Sequence, residues 1–347
     1  MVERTRPTIS EVARVAGVSK GAVSFALNGR PGVAEETRNR ILEAAEDLGW
    51  TPSHRARALS TSRAYAVGLV IARPPETLRA DPFFINFIAG VERVLTDRGQ
   101  ALVLQVTPSQ RAEEDSYRRL AADGRVDGLF LLDLRIADNR IALLRDSHVP
   151  VVTLGRPDVS SPFPAVLVDD RSATTAIMTH LLELGHEHIA HVAGPSNFLH
   201  AVTRRAAWEA ALTAAALPPG TCVVSDFSAA GGADATRVLL DGDNPPTAIV
   251  YANDVMAIAG LTVAREYGID VPGELSITGF DDTELAAHVS PALTSVRSDP
   301  FGWGRAAART LLDLIDGNHA ADVQMPPARL MIRASTARRE PFSVEDR

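Results

Sequence analysis

The first fifty residues carry three short stripes of apolar positions at helical spacing, and the remainder of the chain alternates apolar runs with amphipathic stretches. Ile9, Val12, Ala13 and Ala16 stand at i, i+3, i+4 and i+7, which gives one helix an apolar face. Thr8-Ile9-Ser10-Glu11 opens that helix as a capping box, with Thr8 accepting from the backbone three residues on and Glu11 reaching back. Gly17 closes it, because glycine adopts the left-handed conformation at a helix end without a Cβ penalty. Ser19 caps a second helix reaching residue 28, with Val23, Ala26 and Leu27 facing inward. A third spans about 35–48, where Ile41, Ala44, Ala45 and Leu48 repeat the stripe. Glu35 and Glu36 fall in its first turn, where the helix dipole favours negative charge.

From residue 66 the pattern changes. "AVGLVIA", "ALVLQV" and "VDGLFLLD" read as strands, interleaved with helices near 84–98, 112–123 and 137–147. The series continues through "PVVTLG", "IAHVAG", "CVVSDF", "TAIVYAND" and "LSITGF". Strands alternating with helices predict an α/β body of parallel sheets covered on both faces, and their number predicts more than one sheet. Ligands in such folds sit at the carboxyl ends of strands. Those ends carry Asp81 to Phe84, Asp133, Gly155-Arg156, Asn253-Asp254 and Asp281-Asp282. Each is also an ordinary turn or helix-cap residue. Together they mix carboxylates, amides and aromatics, as a polyol site requires.

Two short helices joined by a glycine turn, with a third closing the core, form a helix-turn-helix arrangement whose second helix enters the major groove N-terminus first. On this reading Lys20, Gly21 and Phe25 face base edges, while Ser19, Ala22, Ser24 and Asn28 approach the DNA backbone. Lys20, the only lysine in the chain, can donate to guanine O6 and N7, and Phe25 can lie against a thymine methyl. Gly21 costs about 1 kcal/mol relative to alanine inside a helix, which is tolerable where the backbone must approach DNA closely. The alternative is a three-helix cap that merely packs on the body. The capping box, glycine turn, serine cap and clustered arginines together favour DNA.

Charge sharpens this division. The chain carries a net charge of −8, yet residues 1–63 hold 10 basic and 7 acidic residues, against 25 and 36 in the remainder. A mildly basic head on an acidic body fits a chain in which only the head meets phosphate. With 347 residues, 46% of them hydrophobic and 22% charged, the composition is that of a globular protein large enough for more than one domain. No apolar run spans a bilayer, and the opening "MVERTRPTISEV" lacks the apolar core and cleavage site of a secretory signal. Cys222 is the single cysteine, so no intramolecular disulfide forms. A reducing cytoplasm is the expected compartment, with the chain on the nucleoid when bound to DNA.

"TISEVARVAGVS…AVSFALNGRPGVAEETRNRILEAAEDLGWTPSHRARAL" closely resembles the N-terminal signature of the LacI/GalR family of bacterial transcription regulators. The resemblance implies base contacts from Lys20, Gly21 and Phe25 and phosphate contacts from Ile9, Ser10, Ser19, Ala22, Ser24, Asn28, Ala34, Thr37 and Trp50. Three positions depart from the family pattern: arginine is frequent where Phe25 stands, a polar cap where Ala34 stands and asparagine where Ser53 stands. By pattern alone "TPSHRARALSTSRAY" is a solvated linker in which Arg55 and Arg57 are available to the DNA backbone. The resemblance implies instead a short hinge helix in the minor groove, built around Ser53, Ala56 and Leu59, with Leu59 as the wedge at a central base step.

The body carries further matches to the family in "HLLELGHEHIAHVAG", "YANDVMAIAG" and "ITGFDDTELAAHVSPALTSV". They imply an effector-binding domain of periplasmic-binding-protein type, with two subdomains and chain crossings near 168, 297 and 327. Domain 1–52 would then read DNA, 53–65 form the hinge, and 66–340 bind the effector and dimerise. Within that body the N-subdomain would take about 66–168 and 297–327, and the C-subdomain 169–296 and 328–340. Effector contacts transfer to Pro82, Phe83, Asp133, His200, Arg204, Phe227, Asn253, Asp281 and Ser298.

Motifs for other chemistry fail. No G-x-G-x-x-G or P-loop occurs, and no convincing Ser/His/Asp constellation appears. "HEHIAH" at 186–191 invites a metal reading, but the second histidine of H-E-x-x-H would fall on Ala190, and the segment runs from a helix end into a strand. No catalytic set and no cofactor or metal site is expected. The reading is a dimeric repressor on a near-palindromic operator, controlled by a small effector, with a sugar favoured by fold analogy and nucleobases admitted by it. Inducer and corepressor action both remain open. The charged tail "RREPFSVEDR" has no leucine heptad, so a dimer and no tetramer is expected. The competing readings are a solute-binding protein without a DNA role, opposed by the basic head, and a sugar-active enzyme, opposed by the absence of catalytic machinery.

Overall fold

A computed structural model describes residues 7–27, 31–50 and 63–339, which fall into two compact units, Met1–Tyr65 and Ala66–Arg347. Asn28, Ser53, Arg55, Ala56, Arg57 and Leu59 lie outside the described residues.

The first unit contains helices α1 (Ile9–Ala16), α2 (Lys20–Leu27) and α3 (Glu35–Asp47). Their apolar stripes meet in a small core of Val12, Ala13, Ala16, Val23, Ala26, Ile41, Ala44 and Ala45. At the start of α1 the Thr8 backbone N–H and hydroxyl both donate to Glu11 Oε2, at 2.7 and 3.0 Å. These bonds hold the exposed Glu11 carboxyl below its ordinary pKa. Gly17 ends the helix at φ 66°. Ser19 Oγ accepts from the Ala22 N–H at 3.1 Å, so one free donor of α2 is capped. Ala34 offers no side-chain cap to α3. The head is small, and helix-end carbonyls are satisfied across helices: Arg40 Nε donates to Ala16 O at 3.0 Å and Arg38 to Ala26 O at 3.4 Å.

The second unit contains two six-stranded sheets. The first has the order β11 (Val323–Gln324), β5 (Ala165–Leu167), β4 (Val151–Leu154), β3 (Gly128–Leu131), β1 (Ala66–Ile71) and β2 (Ala101–Val106). The second has the order β12 (Arg329–Met331), β10 (Thr294–Arg297), β9 (Ser276–Asp281), β8 (Ala248–Tyr251), β6 (Ile189–Ala193) and β7 (Cys222–Val224). All pairings are parallel except that of β12 with β10. β1, "AVGLVI", is buried at every position because helices cover both sheet faces. β2, at the edge, is partly exposed.

The chain changes sheet three times: after β5, after β10 and after β11. The second change sends helix Pro300–Ile315 back onto the first sheet, where it packs backbone to backbone on helix Pro82–Asp97. Reciprocal glycines permit that approach. A Cβ on Gly90 would lie 2.0 Å from Phe301 O, and one on Gly304 would lie 2.1 Å from Phe87 O. The strands outside the series read from sequence are β5, β10, β11 and β12. They are two to four residues long; β10, β11 and β12 also carry polar or exposed positions, while β5, "AVL", is apolar but only three residues long, too short to show a period.

Candidate nucleic-acid face and ligand cleft

In the head, α2 buries Val23 and Ala26 and turns Lys20, Gly21 and Phe25 outward, with Phe25 43% exposed. Lys20 stands in the first turn, where the free backbone N–H groups and the helix dipole already favour an anion. Ser10, Ser19 and Ala34 are exposed, while Ile9, Ala22, Ser24 and Thr37 are half-buried. Trp50 packs against the helical core and donates its backbone N–H to Ala45 O at 2.8 Å. Arg38 and Arg40 are among the ten basic residues counted in the head. The structure commits both to helix-end carbonyls.

In the body, a cavity of about 310 Å³ lies at the carboxyl ends of the strands and is lined from both sheets. The segments that follow β1, β3 and β5 supply Arg73, Asp133 and Asp170, the last at the start of a helix; those that follow β6 and β8 supply His200, in the first turn of a helix, and Asn253, and β9 ends in Asp281. Phe83 and Trp303 come from the two glycine-packed helices, with ring centroids 5.9 Å apart. Seven of the nine positions carried over from the family meet here: Phe83, Asp133, His200, Arg204, Phe227, Asn253 and Asp281. Pro82 and Ser298 are not among the lining residues. Pro82 is spent as the first residue of its helix, its carbonyl accepting from Asn86 Nδ2 at 3.0 Å. Ser298 stands behind Asp281, to whose Oδ1 its hydroxyl donates at 3.4 Å.

Two of the arginines that line this cavity, Arg73 and Arg204, are held by buried carboxylates. Arg73 Nε donates to Asp133 Oδ2 at 2.8 Å, and its guanidinium lies 4.1 Å above Phe198. Burial pushes the Asp133 carboxyl up, but Arg73 more than offsets this and brings its pKa down to about 2. Arg204 binds Asp170 Oδ1 through Nε and Nη2 at 2.9 and 2.8 Å, donates from Nη1 to Ala252 O at 2.6 Å, and stacks 3.6 Å above Phe280. His200 lies stacked between Phe198 and Phe227, with centroids 5.6 and 5.5 Å away. Burial, aided by Arg204, lowers its pKa to about 4, so it is a neutral ring at pH 7.

Two carboxyls stand apart from these pairs. Asp81 caps helix Pro82–Asp97 by accepting from the Phe83 N–H at 2.9 Å, and burial raises its pKa. Asp281 sits at φ 108°, and burial raises its pKa well above the ordinary value, with Asp81 adding to the shift. Asn253 Oδ1 caps the next helix through the Met256 N–H at 3.0 Å, and its Nδ2 donates to Phe227 O at 3.1 Å. Asp254 and Asp282, also strand-end residues, turn away: Asp254 accepts from Ser295 Oγ and Thr283 N, and Asp282 pairs with Arg297 and Arg333.

A buried network holds the Asp133 loop. Arg140, fully buried, meets Glu113 and Asp138 at 2.6 Å each and donates to Asp133 O at 2.9 Å, while Arg135 pairs with Glu113. Beyond it the two walls join through the backbone, Ile136 N to Asn197 O at 3.0 Å and Leu199 N to Leu134 O at 2.9 Å. Sequence reasoning missed Arg73, Asp170, Phe198 and Trp303. Arg73 follows β1 by two residues, so the strand-end rule that selected Asp133 could have found it. Trp303 could not be found that way, because it reaches the cavity from a helix distant in sequence. In "HEHIAH", His186 bonds Thr247 and Ser276 hydroxyls and His191 Nδ1 bonds Val250 O at 2.8 Å, so each ring serves its own core partners.

Residues 8–53 match the family of bacterial regulatory proteins, lacI family, and residues 178–336 match the periplasmic binding protein-like domain. The HTH-type transcriptional regulator CelR of Thermobifida fusca is 35% identical over 341 residues, which cover 96% of this chain and all of that protein. The regulator MalR of Streptomyces coelicolor is 34% identical over 95% of this chain and 96% of its own length. Among solved structures, a CelR–cellobiose complex covers 95% of this chain and 100% of its own at TM-score 0.73 and 33% identity. A Lac repressor dimer bound to operator and the anti-inducer ONPF covers 96% of this chain and 100% of its own at TM-score 0.83 and 28% identity.

Proposed function

This chain belongs to the lacI family of bacterial regulatory proteins and is a sequence-specific DNA-binding transcriptional regulator, and from that premise we propose that it is a cytoplasmic repressor whose grip on a near-palindromic operator is set by a sugar in the cleft. The head, residues 1–52, reads bases through Lys20, Gly21 and Phe25 and holds phosphates through the surrounding positions. Residues 53–65 form the hinge, and the body from residue 66 dimerises and binds the effector through the seven cavity residues. The observation that carries the reading is the pairing of an outward-facing α2 with a two-walled polar and aromatic cavity in one chain. Two heads on a two-fold axis suit a palindrome, as in the Lac repressor dimer on its operator. A sugar presents hydroxyl donors to carboxyls such as Asp281 and C–H faces to rings such as Phe83 and Phe227. The bound cellobiose of CelR is in keeping with this. Binding changes the equilibrium between two relative positions of the walls, and because DNA and effector bias the same element their affinities are coupled.

Electrophoretic mobility shift with the gene's own upstream DNA, titrated with sugars, tests the proposal. A retarded band that a sugar strengthens or dissolves is expected. Equal affinity for that fragment and for bulk DNA, unaffected by any sugar, would overturn it.

A further inference from the structure

The walls of the cleft are tied together away from the chain crossings as well as by them. The crossings leave from the ends of β5, β10 and β11. The second tie lies on the segments that follow β3 and β6, two strands from β5 in the first sheet and three strands from β10 in the second. There Ile136 N donates to Asn197 O at 3.0 Å and Leu199 N to Leu134 O at 2.9 Å, with Arg135 opposite Phe198. Side chains interlock at the same place. Phe198 belongs to the core of the second wall, whereas the next residue, Leu199, packs on the cluster of Tyr117, Leu131 and Leu134 in the first. Arg73, from the first wall, lays its guanidinium 4.1 Å above Phe198 and 5.1 Å above Phe227 of the second. The first-wall half is itself fixed: Asp138 accepts from the Arg135 N–H at 3.0 Å, and Asp158 from the Ala137 N–H at 3.0 Å.

We propose that this contact is a clasp: it holds the walls closed through the protein's own groups, Leu199 is the residue that positions it, and affinity for operator DNA changes when it opens. With strands about 4.8 Å apart, the second-wall half of the clasp stands roughly 14 Å from the β10 crossing, so a turn of about 10° about the crossings carries it about 2.5 Å. A hydrogen bond of about 3 Å does not survive that displacement. The walls therefore cannot swing about the crossings and keep the clasp. Its two bonds break together, since a movement that parts Ile136 from Asn197 also parts Leu199 from Leu134. Closed and open walls are then two discrete states, and a ligand acts by favouring one of them. The clasp rests on the coupling of wall position to DNA binding proposed above, and on no particular ligand.

Leu199 is the first residue of helix Leu199–Ala214, a position that accepts proline. The N–H that proline removes has no partner within the helix, and Phe198, at φ −91° and ψ 131°, already has the conformation that precedes a proline. Leu199→Pro therefore deletes the bond to Leu134 O and leaves the helix intact, while Leu199→Ala trims the same side chain and keeps the bond. The test is hydrogen–deuterium exchange by mass spectrometry on the full chain, paired with fluorescence anisotropy on its own promoter fragment. The peptide containing Ile136 is expected to exchange at least fivefold faster in Leu199→Pro than in Leu199→Ala, with the peptides of β1 and β8 unchanged. Operator affinity is expected to differ at least threefold between the two. Ala229→Pro, at the exposed first position of helix Ala229–Leu240, is expected to leave both readings as in the unaltered chain. Equal exchange at Ile136 in the two Leu199 variants would overturn the clasp and leave the coupling of the walls to DNA standing. Faster exchange at Ile136 with equal operator affinity would overturn the clasp's control of DNA, and that coupling with it. Faster exchange in β1 and β8 as well would give Leu199 a general structural role and overturn its positioning one.

Discussion

Arg204 ties three parts of the cleft's wall together, Asp170, the Ala252 carbonyl and Phe280, and its removal has a calculable cost. Its guanidinium makes two bonds to Asp170, one to the Ala252 carbonyl and a stack on Phe280, with side-chain exposures of 10% for Arg204 and 15% for Asp170. Arg204→Met keeps most of the length and the apolar stem but leaves a carboxylate and a carbonyl without a donor. Breaking a buried ion pair from one side costs about 3–5 kcal/mol, and the residual exposure of this pair places the expected loss near the lower figure, about 3 kcal/mol. Replacing both partners with apolar groups avoids the orphaned charge. Arg204→Met combined with Asp170→Leu should therefore regain at least half of the loss. Arg204→Lys should fall between the unaltered chain and Arg204→Met, since a lysine keeps the charge but has neither the forked donors nor the flat face that covers Phe280. Urea denaturation followed by circular dichroism measures all four proteins. A loss below 1 kcal/mol in Arg204→Met, or a double variant no more stable than the single one, would refute the reasoning.

Further expectations concern packing, pH and base reading. Gly304→Ala should cost about 3 kcal/mol, because its Cβ would stand 2.1 Å from Phe87 O, whereas Gly242→Ala, with nothing nearer than 3.6 Å, should be close to neutral; urea midpoints compare the two. His191, buried beside Trp208 with burial lowering its pKa to about 4, is neutral in the fold, so its contribution is complete above pH 6.5 and is lost as the pH falls towards 4, by up to about 3 kcal/mol. Asp254, pushed up to about 6 by burial, acts in the opposite sense over part of that range, so the measurement is the difference between the unaltered chain and His191→Gln, which should shrink the acid loss. Lys20→Ala should lower operator affinity ten- to a hundredfold while leaving affinity for unrelated DNA within a few-fold, as read by fluorescence anisotropy.

Much of this was legible because the relevant signals are local. The spacing of Ile9, Val12, Ala13 and Ala16, the Thr8–Glu11 pair and Gly17 fix α1 through neighbours a turn away. β1 and β8 announce themselves as unbroken apolar runs because both faces of their sheets are covered. β10, "TSVR", reads as a loop in isolation and becomes a strand only through its neighbours β9 and β12. Within the cleft, strand ends could be read, but the division of labour among their charges could not. The pairings Arg73–Asp133 and Arg204–Asp170 span 60 and 34 residues, and no spacing rule reaches so far. For the same reason the arginines of the head looked alike in sequence, although Arg40 reaches back 24 residues to end α1.

The central claim is that one chain both reads DNA and answers to a sugar, and operator binding by fluorescence anisotropy of the full chain, with and without neutral sugars, tests it most directly. Preferential binding to its own promoter fragment over bulk DNA, shifted at least fivefold by one neutral sugar, is the predicted result. Binding with no promoter preference, and with no response to any sugar that the same preparation binds, would contradict it.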